Sequence, residues 1–308
     1  MKALLFPGQG SQIIGMGLEF YKNFQTAKDI FIEADDSLNF KISEIILEGP
    51  EQELKLTQNT QPAILTVSCA IYNVVKKDFK FNFNNFKYYV GHSLGEYSAL
   101  VCSGSLKFKD ALYLLHERGK AMQEAVPLGK GAMLAILGSD IVEIENLLNE
   151  IKSKGVCEIA NDNANGQIIV SGEVNLINIL QTILKEKKKK TILLPVSAPF
   201  HCSLMKSAAE KMKTKILPVN FSKPNIDIIS NVTAQPENNP EKIKNLLVEQ
   251  IYSRVRWRES IINMSKNNIN EFIEIGPGKV LSGLSKRIIK EAKANSINTI
   301  EDIKNNLK

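Results

Sequence analysis

Apolar runs bounded by turn-forming residues set the main pattern of the chain, and they predict buried β-strands joined by helices. Residues 3–6 are apolar, and the Pro-Gly-Gln-Gly-Ser-Gln sequence at 7–12 cannot continue a strand. Residues 86–90 form a similar apolar run, and the helical pattern at 96–102 ends before Gly104, a residue typical of a helix C-terminus. The pattern predicts an α/β-hydrolase-like domain with a parallel sheet, in which further buried strands lie at 226–230 and 271–275.

A regular alternation of short elements sets residues 128–196 apart from the rest of the chain. Their order is β-α-β-β-α-β, the order of the ferredoxin-like unit. The sequence therefore predicts a small ferredoxin-like domain at 128–196, inserted into a large α/β-hydrolase-like domain formed by 1–127 and 197–308. The lysine-rich and asparagine-rich tail from Lys290 is expected to be loosely held. The predicted strands of the small domain are 132–137, 156–160, 167–171 and 191–196, and its predicted helices are 140–154 and 176–187.

Composition and charge narrow the class of protein. The 308 residues are 44% hydrophobic and 23% charged, which excludes disordered and fibrous chains and favours a soluble, cytoplasmic protein that does not enter a membrane. The four cysteines lie far apart without a C-x-x-C pair, so neither a zinc site nor a disulfide framework is expected. The net charge of +6 suits an anionic ligand or partner. The basic run at 185–190 indicates a solvated helix end, and no aromatic residues interleave it as a nucleic-acid site would require.

The most specific local signal is the Gly-His-Ser-Leu-Gly sequence at 91–95, which has the form G-x-S-x-G at a strand-to-helix junction. This is the context of a nucleophile elbow. The turn places Ser93 at a helix N-terminus, where the helix dipole and the N–H of Leu94 favour a developing oxyanion. A structural turn without catalytic function is the alternative, and the sequence favours the catalytic interpretation.

A serine nucleophile requires a base, and the chain has three histidines. His92 is expected to point away from Ser93 on the turn, and His116 lies in a predicted helix. His201 follows the last strand of the small domain, in a loop suited to face a cleft between the domains. The residue that orients this histidine is either Asp227 or a backbone carbonyl, which would leave a Ser-His dyad.

Arg118 lies on the apolar face of a predicted helix at 109–125. A buried guanidinium needs an anion, which leaves two interpretations. One is an internal pair with an aspartate or glutamate, which base rates favour. The other is that the arginine binds a substrate carboxylate through two parallel hydrogen bonds.

Taken together, the motifs of the chain resemble those of the malonyl-CoA:acyl-carrier-protein transacylase family, the acyltransferases that load fatty-acid and polyketide synthesis. The resemblance covers nearly the whole chain, and several separate motifs occur in the family's order. One position departs from the family, since Arg254 stands where a proline is common. The matching segments are 6–12 (FPGQGSQ), 91–96 (GHSLGE), 118–119 (RG), 165–172 (NGQ to SG), 199–201 (PFH), 230–233 (SNVT), Gln250, 255–257 (VRW) and 274–279 (EIGPGK).

The resemblance implies a role for each matching position. Ser93 would be the nucleophile, His201 its base and Arg118 the partner of the malonyl carboxylate. Phe200 implies a preference for malonyl over methylmalonyl groups, because relatives that accept the latter usually carry a smaller residue there. The other implied residues are Gln9 and Leu94, whose N–H groups form the oxyanion hole, Gln250, whose carbonyl orients His201, and Asn161, which contacts substrate.

The activity implied by the resemblance is transfer of a malonyl group from malonyl-CoA to acyl carrier protein through a malonyl-serine. It requires no metal or organic cofactor, involves no nucleic acid, and is carried out by a monomer. Two alternatives remain at this point. A serine esterase or thioesterase could use the same elbow, although it does not need Arg118. A catalytically silent carrier-binding subunit would not need both Ser93 and His201.

Overall fold

A computed structural model describes residues 1–196 and 198–307 of the chain. Within these ranges the strands form two sheets, a six-stranded sheet in the order β10-β9-β1-β2-β7-β8 and a four-stranded sheet in the order β4-β5-β3-β6. The strands are β1 (Lys2–Phe6), β2 (Phe86–Gly91), β3 (Gly131–Leu137), β4 (Cys157–Ala164), β5 (Gln167–Glu173), β6 (Lys190–Leu193), β7 (Asp227–Ile229), β8 (Pro236–Glu237), β9 (Glu271–Ile275) and β10 (Lys293–Ile297).

Helices cover both faces of the large sheet and one face of the small one. Among the residues that the structure describes, none of them is long and apolar enough to cross a membrane. The helices are α1 (Leu18–Asn23), α2 (Gln25–Leu38), α3 (Ile42–Leu47), α4 (Glu51–Lys55), α5 (Thr57–Lys77), α6 (Gly95–Cys102), α7 (Phe108–Glu124), α8 (Ile141–Ile151), α9 (Val174–Glu186), α10 (Lys206–Ile216), α11 (Pro240–Gln250), α12 (Trp257–Lys266), α13 (Val280–Ile288) and α14 (Ile300–Asn306).

The large sheet is parallel except for its edge strand β8, which pairs antiparallel with β7. Its central strand β1 is apolar from Ala3 to Phe6, where side chains on both faces are buried. Leu4 and Phe6 join the core beneath α5 and α7, whereas Ala3 and Leu5 pack on the opposite side against α12 and α13. The predicted α/β fold with a parallel sheet is thereby confirmed, and the carboxyl ends of β1 and β2 meet at one edge.

The small sheet is antiparallel and is built from the β-α-β-β-α-β order that the sequence predicts. Alternate residues of β3 face opposite sides, as expected for a strand. Leu134 and Ile136 pack under α8 and α9, and Met133 and Ala135 turn toward the large core. Strand β4 extends four residues beyond its predicted end at 160, whereas β6 ends at Leu193 rather than at 196.

Residues 293–306 of the tail form a strand and a helix, so the prediction of a loosely held segment was wrong. Strand β10 pairs with β9 along the edge of the large sheet, and α14 follows it. A capping box starts this helix, in which the Thr299 and Asp302 side chains each bond the other residue's backbone N–H. Ala294, Ile297 and Ile303 are buried. These few apolar positions fix the segment although lysine and asparagine dominate its composition.

Candidate active site

Ser93 lies on a tight turn between β2 and α6, with a backbone φ of 53°. A non-glycine residue rarely adopts this conformation, which is typical of strained functional turns. The turn needs the two flanking glycines because backbone segments approach each other closely here. A Cβ at Gly91 would lie 1.8 Å from the carbonyl carbon of Gly95, and one at Gly95 would lie 2.3 Å from the Phe6 oxygen.

Two buried polar side chains that the sequence analysis did not assign hold this turn. The Asn231 amide oxygen accepts the Ser93 N–H at 2.7 Å, and its NH₂ group donates to the Gly91 carbonyl at 2.7 Å. Glu96 in turn accepts the Asn231 backbone N–H at 3.1 Å. Burial raises the pKa of Glu96 to about 7, against the opposing effects of the Asn231 and Gln250 hydrogen bonds and the Arg118 charge. Both residues belong to motifs quoted for the resemblance, which was the only sequence signal for them.

His201 is the histidine that the structure places beside Ser93. Its Nε2 lies 2.8 Å from Ser93 Oγ, and its Nδ1 lies 2.9 Å from the Gln250 carbonyl oxygen. A carbonyl can only accept, so Nδ1 carries the proton and Nε2 is free to accept from the serine. Burial, together with the nearby Arg118 charge, lowers the pKa of His201 to about 3. The ring is therefore neutral and able to act as a base at neutral pH.

The other candidates for the base and its orienting acid form hydrogen bonds to residues other than Ser93 and His201. The Nε2 of His92 is 2.9 Å from the Asn163 amide oxygen, and its ring packs near Trp257. The Nδ1 of His116 is 2.9 Å from the Gln58 carbonyl. Asp227 accepts a hydrogen bond from Asn238 at 2.8 Å. Of the two alternatives for orienting His201, the backbone carbonyl is the one present.

Arg118 is 1% exposed and its guanidinium reaches Ser93. Its Nη2 donates to Ser93 Oγ at 3.1 Å and to Gln250 Oε1 at 2.9 Å, and its Nη1 donates to Gln61 Oε1 at 2.7 Å. Within 1–196 and 198–307, no carboxylate forms a salt bridge with it, and its buried Nε has no hydrogen-bond partner. The guanidinium thus has donor capacity that the described residues do not use.

A cavity of about 110 Å³ opens beside these groups. Among the residues with assigned roles, Gln9, Asn161 and Phe200 line it together with Ser93, Arg118 and His201. Gln250 is 1% exposed and does not line the cavity itself. It forms hydrogen bonds with two residues that do, His201 and Arg118. The sequence analysis missed the rest of the lining, which is mainly apolar and comprises Gln61, His92, Met122, Met133, Leu194 and Val196.

The backbone N–H groups of Gln9 and Leu94 have no hydrogen-bond partner among the described residues. Leu94 directly follows Ser93 and is the N-cap residue of α6, where the helix dipole favours negative charge. Gln9 comes from the loop after β1, the strand next to β2. Because adjacent parallel strands end at the same edge of a sheet, N–H groups that follow two separate strands can donate to the same oxyanion.

The position at which Arg254 replaces the common proline lies beside β4. The Arg254 side chain pairs with Glu145 at 3.1 Å and with Glu259 at 3.5 Å. The next residue, Val255, forms two backbone hydrogen bonds with β4. Its N–H donates to the Ala160 carbonyl at 2.8 Å, and its carbonyl accepts from the Asp162 N–H at 3.0 Å. The loop after Gln250 is therefore anchored to the small sheet without a proline.

The low pKa of His201 predicts a loss of stability in acid. The unfolded chain takes up a proton near the ordinary value of about 6.5, whereas the folded ring does so only near 3, so this residue stabilises the fold above pH 6.5 and progressively less below it. We expect the unfolding free energy of the wild type, relative to His201→Gln, to fall by up to about 1.4 kcal/mol per pH unit below 6.5. Urea unfolding of the wild type and of His201→Gln from pH 8 to pH 5 measures this difference in unfolding free energy. A difference that stays constant with pH would contradict the prediction. Glu96 also has a shifted pKa, but it is present in both proteins.

Comparison with known proteins places these residues in a family. The sequence profile of the acyl transferase domain matches residues 3–307. The malonyl CoA-acyl carrier protein transacylase of Bacillus subtilis is 45% identical over 303 residues, which are 98% of this chain and 94% of that protein. The crystal structure of the acyl-carrier-protein-S-malonyltransferase from Bartonella henselae superposes with a TM-score of 0.96 at 45% identity, covering 99% of this chain and 97% of its own. A malonyl-transacylase solved in complex with its type II PKS acyl carrier protein has a TM-score of 0.95 at 38% identity, with 99% and 98% covered.

Proposed function

Because the chain belongs to the acyl transferase family, we propose that it transfers a malonyl group from malonyl-CoA to the phosphopantetheine thiol of acyl carrier protein. The transfer proceeds through a malonyl ester of Ser93. The observation that carries the proposal is the Arg118 guanidinium, buried 3.1 Å from Ser93 Oγ, with no carboxylate partner among the described residues and a free Nε. A carboxylate on the acyl group is the anion that this arrangement lacks.

The first half-reaction acylates the serine. His201 Nε2 takes the Ser93 Oγ proton while Oγ attacks the thioester carbonyl, and the N–H groups of Gln9 and Leu94 stabilise the oxyanion. The tetrahedral intermediate collapses, the C–S bond breaks, and His201 returns the proton to the leaving thiolate. The Gln250 carbonyl accepts the Nδ1–H throughout, so it stabilises the imidazolium that forms in between. The thioester supplies the activation, so the step needs no metal or organic cofactor.

The second half-reaction reverses these roles. The thiol of the carrier gives its proton to His201 Nε2 and attacks the malonyl ester, and the same N–H groups bind the oxyanion. The C–O bond breaks and His201 protonates Ser93 Oγ. Because the free thiol and coenzyme A use the same site in turn, the kinetics are ping-pong.

Intact-mass spectrometry after mixing with malonyl-CoA alone tests the proposal. A malonyl adduct that persists and disappears when the carrier with its phosphopantetheine thiol is added is the expected result. Rapid release of malonate without the carrier would instead identify a hydrolase, and no adduct at all would identify a silent binding subunit. Arg118 favours transfer over simple hydrolysis, because a general esterase has no use for a buried cation beside its nucleophile.

Phe200 predicts which acyl groups enter. The ring is 7% exposed and lines the cavity, where it would crowd an α-methyl group. One methyl group is worth about 1–3 kcal/mol in such a pocket, so kcat/KM for malonyl-CoA should exceed that for methylmalonyl-CoA by roughly 10- to 200-fold. Phe200→Ser should narrow the ratio. Equal kcat/KM for the two thioesters in the wild type would refute the role of Phe200.

The organisation of the chain completes the proposal. Residues 1–127 and 197–308 form the catalytic domain, and 128–196 form the inserted domain, which is supported by the separate apolar cluster beneath α8 and α9. The boundary residue Ser197 and the terminal Lys308 lie outside the described residues. The protein acts as a monomer in the cytoplasm, on coenzyme A thioesters and a carrier protein, without nucleic acid or membrane. Size-exclusion chromatography with light scattering tests the monomer.

A further inference from the structure

Glu96 is a buried carboxylate three positions after the nucleophile, and no step of the transfer uses it. It lies in the first turn of α6 and is 2% exposed. Its Oε2 accepts two hydrogen bonds, from Gln250 Nε2 at 2.8 Å and from the Asn231 backbone N–H at 3.1 Å. Burying a carboxylate is costly, so its position beside the site calls for a function.

The two partners of Glu96 reach three separate parts of the site. The Gln250 carbonyl accepts from His201, and the Gln250 side-chain Oε1 accepts from Arg118. Asn231 accepts the Ser93 N–H through its own side chain. One carboxylate oxygen therefore links the nucleophile turn, the base and the guanidinium.

Glu96 is the nearest of the acceptors that orient the Gln250 amide. The amide Nε2 faces Glu96 Oε2 at 2.8 Å, the Ser93 carbonyl at 3.1 Å and Asn231 Oδ1 at 3.5 Å. Its Oε1 therefore faces Arg118 at 2.9 Å. The opposite orientation would set the NH₂ group against the guanidinium, donor against donor. With the amide fixed in this way, Glu96 acts on Arg118 through Gln250 and leaves the guanidinium itself without a direct carboxylate contact. Of the two interpretations left open by the sequence, the described residues provide no direct carboxylate partner for Arg118, which leaves the substrate clamp.

We propose that Glu96 is a positioning residue that fixes Gln250 and Asn231, and through them aims Arg118 at the carboxylate of the acyl group. The identity of that group as malonyl rests on the proposed function. The inference predicts a selectivity effect, because loss of the Glu96 acceptor frees the amide that holds Arg118. Acyl groups without a carboxylate are affected only through the nucleophile turn.

Three variants separate the acceptor from the charge. Glu96→Ala removes both, Glu96→Gln keeps an oxygen that can accept the same two bonds, and Glu96→Asp keeps the charge but withdraws it by one methylene. Asp35 provides the matched control. It is a buried carboxylate, 7% exposed, that accepts hydrogen bonds from the Ser43 N–H and hydroxyl and from Lys41, and it does not line the cavity. Asp35→Ala and Asp35→Asn should change stability alone.

The measurement is kcat/KM for acylation of Ser93 by malonyl-CoA and by acetyl-CoA, followed by intact mass, with a thermal melt of each variant. For Glu96→Ala we expect a fall of about a hundredfold with malonyl-CoA and about tenfold with acetyl-CoA, because two buried donors lose their acceptor. Glu96→Asp should lose its preference for malonyl-CoA over acetyl-CoA to a similar extent as Glu96→Ala. Glu96→Gln should keep the wild-type malonyl-to-acetyl ratio within about fivefold, and the Asp35 variants should leave the ratio unchanged.

Equal losses with the two thioesters in Glu96→Ala would overturn the inference, as would selectivity retained by Glu96→Asp but lost by Glu96→Gln. If Glu96→Ala does not fold, the Asp and Gln variants decide the question alone. Failure of the proposed function looks different, since the wild type itself would then form no malonyl adduct or show no preference for malonyl-CoA. A wild type that prefers malonyl-CoA beside a Glu96→Ala variant with the same ratio removes only the role of Glu96.

Discussion

Ser93→Ala is expected to abolish the malonyl adduct and to lower malonyl transfer by at least about ten-thousandfold, the scale seen when the nucleophile of a serine enzyme is removed. The covalent step has no substitute, because Ser93 Oγ is the hydroxyl 2.8 Å from His201 Nε2. The fold should persist, since removing one oxygen from the wall of an existing cavity leaves little additional empty volume and alanine has the same φ preference as serine. Intact-mass spectrometry and a steady-state transfer assay measure the two effects.

Ser98→Ala is the matched control for this result. Ser98 lies on α6, five residues after the nucleophile, and its buried hydroxyl has no hydrogen-bond partner among the described residues. This variant should form the adduct at the wild-type rate. An adduct on Ser93→Ala, or its loss in Ser98→Ala with a folded protein, would show that the nucleophile is another residue.

The sequence was most informative where the determinants are local. The strand–turn–helix around Ser93 depends on two glycines, because a Cβ at either position would clash with the backbone. Both glycines occur within the five residues of the motif. The β-α-β-β-α-β order of the small sheet follows in the same way from alternating short patterns. In contrast, the composition of the tail after Lys290 gave a wrong prediction. A few buried apolar positions and a helix cap determine its structure, and overall composition does not reveal them.

The polar network beneath the site could not be deduced from local patterns. Glu96 contacts Asn231 across 135 positions of sequence and Gln250 across 154, and no local pattern encodes such contacts. The Gln250 carbonyl is a backbone group, so its residue type carries no signature of its bond to His201. Gln61 lies in the apolar α5, where its contact with Arg118 has no sequence spacing to reveal it. The resemblance to a family supplied Gln250, and the structure supplied the other contacts.

Arg118→Ala is the second change with a large expected effect, and it separates this site from hydrolases that share the same turn. If Arg118 binds the malonyl carboxylate in a desolvated cavity, its removal leaves that charge unpaired, at a cost of about 3–5 kcal/mol. We therefore expect kcat/KM for malonyl-CoA to fall by roughly a hundredfold to a few thousandfold. Acetyl-CoA has no such carboxylate, so its use should be spared or improved.

An arginine with a purely structural role would behave differently, and the chain contains one for comparison. Arg258 pairs with Asp162, whose side chain is 1% exposed, at 2.8 Å, and it lies outside the residues that line the cavity. Arg258→Ala should lower the melting temperature and affect both thioesters equally. Parallel losses with malonyl-CoA and acetyl-CoA in Arg118→Ala, together with a lower melting temperature, would assign Arg118 the same structural role. The site would then retain a nucleophile, a base and an oxyanion hole, and a serine hydrolase would again account for it.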